Sequence, residues 1–171
     1  MRAHDGEYAE FVSARGTALL RTAHLLARGP ADAEDLLQTA LVKTYLSWPK
    51  LRDVAAAEAY TRRVLVNTSV SWWRLRRNRD EQPAAFLPDQ HVAHPAAALG
   101  ERAVMIAALW QLSPQQRAVL VLRFYEDQSE AQIAETLGLA PGTVKSHSSR
   151  GLARLRELLG DHDELTTEEQ R

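Results

Sequence analysis

The sequence predicts an all-α protein built of two small helical domains joined by a flexible linker. Apolar residues recur three, four or seven apart along most of the chain, and no stretch alternates as a strand would. Two segments carry serine caps ahead of an apolar stripe, while residues 80–98 hold Pro83, Pro88 and Pro95 and have no period at all.

Taken in order, Tyr8, Phe11, Val12, Leu19, Leu20 and Ala23 form the apolar stripe of a first amphipathic helix, which ends near Gly29-Pro30. Asp32 is placed to cap a second. In that helix Leu36, Leu37, Ala40, Leu41, Thr44, Tyr45 and Trp48 keep the helical period, while Glu34, Asp35, Gln38 and Lys43 face away. Pro49 stops it, and Lys50 to Ala57 reads as a loop.

A long helix is expected over roughly 58–77, with Tyr60, Val64, Leu65, Val70, Trp73 and Leu75 inward. Arg62, Arg63, Asn67, Arg74, Arg76 and Arg77 are left for the outside. Arginines with an amide and aromatics on one element suit phosphates and unpaired bases, so these six are candidate DNA contacts, with Trp72 beside them. The plainer account is a basic solvated helix with its tryptophans in the core. From Ala59 to Arg79 there is no acid.

After the linker, a helix over 99–111 is followed by Ser113-Pro114-Gln115-Gln116, a capping box with proline in the first position. Val119, Leu120, Leu122 and Phe124 then supply an apolar face. The stretch Gln128–Arg156 reads as two short helices with a tight corner. Ser129 and Gln132 form a second capping box, Gly138 supplies the left-handed residue that ends the first helix, and Pro141 opens the next. Val144, Leu152 and Leu155 point inward. Thr143, Lys145, Ser146, Ser149, Arg150 and Arg154 lie on the acid-free second helix and are candidate DNA contacts, in the helix-turn-helix geometry that fits a major groove.

Composition narrows the alternatives. The 171 residues, 45% of them apolar, can bury a real core, and the net charge of -1 makes local patches rather than global charge the guide to nucleic acid. Without cysteine there are neither disulfides nor thiolate metal sites. His91 and His94 have metal-like spacing but lack a third ligand, so no metal and no cofactor is expected. No apolar run reaches membrane-spanning length and no signal sequence is present, which points to a cytoplasmic protein. No nucleophile elbow or phosphate loop is present, so no catalytic residue is assigned.

With these pieces in order, the chain resembles bacterial RNA polymerase sigma factors of the extracytoplasmic-function type. AEDLLQTALVKTYLSW (33–48) looks like the helix that binds the polymerase clamp, and YTRRVLVNTSVSWWRLRR (60–77) like the helix that handles the minus-ten element. Residues 112–157, beginning LSPQQRAVLVLRFYEDQSE, look like the fourth sigma domain. The resemblance implies sigma domain 2 over 1–79, a linker over 80–98, sigma domain 4 over 99–160 and an acidic tail over 161–171.

It further implies that Asp35, Gln38 and Leu41 meet core RNA polymerase and that Asn67 lies by the minus-ten strand. Lys145, Ser146, Ser149 and Arg150 would enter the minus-thirty-five major groove. Loop 50–57 would accept a flipped promoter base, and the linker would thread toward the polymerase cleft. The implied partners are core polymerase and promoter DNA, with an anti-sigma protein left open and no membrane. Ser71 and His147 depart from the family's common Asp and Arg, so base preference does not transfer, and Trp72 is not equated with the melting tryptophans of housekeeping factors. The competing reading is a stand-alone helix-turn-helix regulator whose amino-terminal helices dimerise or sense a ligand.

Overall fold

A computed structural model describes residues 4–78 and 97–168, all helix and short connections. The first three helices are α1 (Asp5–Leu26), α2 (Pro30–Ser47) and α3 (Val54–Asn78), with a 3-10 turn over Trp48–Lys50. Then come α4 (Ala97–Trp110), α5 (Pro114–Leu120), a π-helical turn (Val121–Tyr125), α6 (Glu130–Leu137) and α7 (Pro141–Glu168).

Packing of α2 on α3 is close because the facing residues are small. Thr44 and Thr61 meet with their hydroxyls 2.8 Å apart and bond back to the carbonyls of Ala40 and Ala57, so neither buried polar group is left unpaired. At the other side of α2, Tyr8, Phe11, Tyr45 and Trp48 form an aromatic cluster with centroids 5.0–6.4 Å apart. Its polar tips are satisfied: Tyr8 donates to the carbonyl of Leu41 and Tyr45 to Asp5.

Several expected boundaries move. Asp32 does not cap α2; Gly29 holds that position, Pro30 takes the first turn, and the Asp32 carboxylate grips Arg76 instead. The expected loop over 50–57 is shorter, since Asp53 accepts a hydrogen bond from the backbone N–H of Ala56 at 2.7 Å and starts α3 at Val54. Leu75, expected inside, is 57% exposed, because the inward face of the last turns of α3 is taken by Ser69, Trp72, Trp73 and Arg76. Helix α4 begins at Ala97, two residues inside the expected linker, and α7 runs through the start of the expected tail to Glu168. The rest of the linker, with His91 and His94, lies outside the described residues.

In the second half both capping boxes form: Ser113 with Gln116 and Ser129 with Gln132 exchange the reciprocal bonds. Gly138 ends α6 with φ +64°. The helices α5 and α7 approach so closely at Gly151 that a Cβ there would stand 3.0 Å from Leu120. Phe124 is the exception to the expected packing, at 61% exposed. The π turn explains it, with Glu126 N–H bonded to Val121 O at 3.0 Å. One residue inserted in the turn rotates the side chains after it by about 100°, so Phe124 swings outward. Val119, Leu120 and Leu122 are buried as expected, and Val121 takes the remaining inward place.

The two halves do not stay apart. One continuous core runs from Phe11, Leu19 and Leu36 through Leu65 to Val119, Leu122, Ile133 and Val144. Across the seam, Arg117 on α5 gives Nη1 to the Leu26 carbonyl at 2.7 Å, and Trp110 donates its indole N–H to the His24 carbonyl at 3.3 Å. Both bonds satisfy carbonyls at the C-terminal end of α1, where the helix has no partner of its own for them.

Candidate nucleic-acid interface

On α7, Val144 is fully buried and Ser148 and Gly151 face inward, which leaves Thr143, Lys145, Ser149 and Arg150 exposed and Ser146 half-exposed. These side chains lie on the outward surface of the helix that comes after the corner at Gly138. Arg154 is exposed further along and pairs with Glu157 at 3.0 Å. The helix-turn-helix is braced from behind by Arg123, which reaches both Ser148 at 3.2 Å and Glu130 at 3.3 Å. His147 sits within this surface with Nδ1 buried and without a hydrogen-bond partner among the described residues. Burial, then the charge of Arg150, lowers its pKa, so the ring favours its neutral form.

The basic residues of α3 divide into two sets. Arg63 and Arg74 are exposed. Arg62, Asn67 and Arg76 are engaged within the chain. Arg62 binds Glu58 at 2.6 Å and places Nε 2.7 Å from Glu126, an ion pair by distance whose N–H is not aligned for a hydrogen bond. Asn67 donates its amide to the carbonyl of Thr136 on α6 at 2.9 Å. Arg76 makes a two-pronged pair with Asp32 at 2.7 and 3.0 Å, which together with nearby cations holds that carboxyl below its ordinary range despite burial. Trp72 is half-buried against the core, and the Arg77 side chain lies outside the described residues.

On α2, Asp35 and Gln38 are exposed as expected, and Leu41 is half-buried. Sequence reasoning missed their neighbours: Val42 is 58% and Leu46 67% exposed, extending the same surface with apolar side chains. The signal was available, because neither residue belongs to the inward stripe 36, 37, 40, 41, 44, 45 and 48. Also missed was Glu126, whose role depends on tertiary contact alone.

A helix-turn-helix with a cationic outer surface, joined to a three-helix unit with a basic third helix, defines a helical DNA-binding protein without a catalytic constellation among the described residues. The family models for sigma-70 region 2 and sigma-70 region 4 match residues 11–79 and 102–155. The chain is 46% identical over 157 residues to an RNA polymerase sigma-E factor of Streptomyces avermitilis, covering 92% of this chain and 87% of that protein. It is 37% identical over 143 residues to the ECF RNA polymerase sigma factor SigM of Mycobacterium tuberculosis, covering 83% and 71%. The chain therefore belongs to the sigma-70 family of RNA polymerase sigma factors, in its extracytoplasmic-function group. Its fold is similar to that of the Bartonella quintana sigma factor RpoE solved with the anti-sigma factor NepR, at TM-score 0.69 and 28% identity over 90% of this chain and 97% of that one. Among the described residues no helix is long and apolar enough to cross a membrane.

Proposed function

We propose that this protein binds core RNA polymerase and directs promoter-specific initiation by reading a minus-thirty-five and a minus-ten element, with no chemistry of its own. The observation that carries the reading is the placement, on one chain, of an exposed cationic stretch of α7 over 141–156, behind a helix-turn-helix corner, and a basic helix α3 that has no acid after Glu58. A stand-alone regulator would need the first and has no use for the second.

In this reading residues 1–79 form the polymerase-binding and minus-ten domain, 80–98 the linker, 99–160 the minus-thirty-five domain and 161–171 a tail. Lys145, Ser146, Ser149 and Arg150 enter the upstream major groove, with Thr143 and Arg154 toward the backbone. Arg62, Arg63, Asn67, Trp72, Arg74, Arg76 and Arg77 serve the downstream element. Asp35, Gln38 and Leu41 meet the polymerase, and exposed Val42 and Leu46 give that contact the apolar centre a stable interface needs. Work on polymerase places the protein in the cytoplasm. An anti-sigma protein is a natural partner, as NepR is for the Bartonella factor.

Run-off transcription with core polymerase is the deciding experiment. The expected result is a discrete transcript from a cognate promoter that neither core enzyme nor the protein makes alone. Operator binding as a dimer without any effect on polymerase would replace this reading with that of a regulator.

A further inference from the structure

The seam between the two halves holds a small pocket lined by Arg28, Asp32, Ser69, Trp73, Arg76 and Arg117, among others. Three guanidinium groups meet one carboxylate there. Asp32 is already held by both prongs of Arg76. Arg117 is 4% exposed and pairs with no acid among the described residues; it spends its N–H groups on the carbonyls of Leu26, Leu109, Trp110 and Leu112. Arg28 places its guanidinium carbon over the Trp73 ring, 3.5 Å from its centroid, and its buried Nε has no hydrogen-bond partner among the described residues. Among the described residues, formal charges of three cations and one anion leave an excess of two positive charges in a partly dry seam, where an uncompensated charge is costly. The cations oppose one another: burial and then Arg28 push Arg117 down to about 10, and burial and then Arg76 lower Arg28.

We propose that this seam is an oxyanion site, with Arg28 as its principal donor, that takes the phosphate group of a small phosphorylated molecule. The cavity of about 30 Å³ has room for roughly two waters, so it takes about two oxygens of such a group and leaves the rest of it outside. It has no room for a sugar or a base, and the Trp73 face is already covered by Arg28, so recognition is of the phosphate alone. A guanidinium held over an aromatic ring is fixed in place by the ring face, and the unpartnered Nε–H of Arg28 remains for an oxyanion. Because Arg28 and Arg76 come from the α1–α3 half and Arg117 from α5, the site exists only while the two halves are closed on each other. A ligand held there shifts the population toward that closed form, in which Asn67 and Arg62 are covered.

The test uses the full chain, titrated separately with inorganic phosphate and with adenosine monophosphate against sodium chloride at matched ionic strength, read by tryptophan fluorescence and by the thermal midpoint. Saturable binding of both phosphate probes, with similar affinity and a raised midpoint, is expected. Arg28→Gln should weaken it at least tenfold, and so should Ser69→Asp, which puts a carboxylate at the pocket edge. Arg102→Gln, exposed on α4 and outside the pocket, should leave it unchanged; circular dichroism checks that each variant folds. A response that sodium chloride reproduces, or that survives both pocket variants in folded protein, would overturn the site. These outcomes are independent of whether the protein starts transcription.

Discussion

Glu126, the residue after the π turn, lies 2.7 Å from Arg62 of α3, and its side chain is only 7% exposed. It also accepts the hydroxyl of Thr22 on α1, so one carboxylate of the second half holds two helices of the first. An acid of the chain thus stands beside an arginine proposed for promoter phosphate, much as phosphate itself would. Glu126→Gln keeps the shape and removes the charge, while Glu58 retains Arg62. The expected loss is about 1 kcal/mol of stability, since Thr22 keeps an acceptor and gives up only the charge on it. Binding of minus-ten single strand should tighten at the same time, as Arg62 then faces one carboxylate instead of two. Chemical denaturation and strand-binding titration check the two halves of this expectation, and movement of neither would leave the pair without energetic weight.

That pair also marks where sequence reading stops. The capping boxes at Ser113 and Ser129 and the corner at Gly138 are set by neighbours within four residues, so their chemistry is visible in order along the chain. The polar surface of α7 and Asp35 and Gln38 on α2 come from helical period for the same reason. Phe124 was misplaced because a π turn changes the period without any residue that announces it. Arg76 and Asp32 are 44 positions apart, and Asn67 and Thr136 are 69 apart. Nothing local tells a guanidinium bound for DNA from one bound for a carboxylate, and the closure of the two halves depends on just such contacts.

Polymerase binding should be lost by a charge change on the exposed surface of α2. Asp35 is exposed and makes no hydrogen bond or ion pair among the described residues, so Asp35→Arg should lower affinity for core enzyme and leave the circular dichroism spectrum unaltered. Co-elution with core polymerase at wild-type strength would remove Asp35 from the interface. Leu46→Lys, at the far end of the same surface, should act in the same direction, since a cation replaces an apolar contact.

Arg150 is exposed on α7 and free to reach DNA. Arg150→Ala should weaken binding to the upstream element by roughly 1–3 kcal/mol if its guanidinium reads a guanine edge. The loss would then fall on the matched element and not on a scrambled one. Equal losses on both would assign the side chain to phosphate.

His147 makes stability depend on pH. Its folded-state pKa lies below the ordinary 6.5, through burial first and the Arg150 charge second. Above pH of about 6.5 the ring is neutral in both states and contributes no slope. Below it the unfolded chain binds a proton that the folded one resists, so stability should fall as pH drops from 6.5 toward the lowered value. His147→Gln should flatten that part of the profile, as measured by the denaturation midpoint in a series of buffers. An unchanged profile would place the pH dependence elsewhere.

The arginines at 74, 76 and 77 hold the densest charge in the chain, and a helix cannot point all three one way. Arg76 is bound to Asp32 by both prongs, which leaves exposed Arg74 for a phosphate track, with Arg77 three positions on along the helix. Each phosphate contact releases condensed counterions, giving a slope of roughly -0.9 per contact in log affinity against log salt, and about -0.7 on single strands. Arg74→Ala with Arg77→Ala should therefore flatten the salt dependence of promoter-complex formation by about one to two units, with little change in sequence preference. Arg76→Ala should behave differently: it unpairs the carboxylate of Asp32, which is partly buried, and so should lower the thermal midpoint more than the slope. Open-complex formation by holoenzyme over a range of salt concentrations gives the slopes, and a thermal scan gives the midpoints. A double variant with the wild-type slope would mean that this end of α3 meets water, and the minus-ten assignment would then rest on Asn67 and the turn at Asp53.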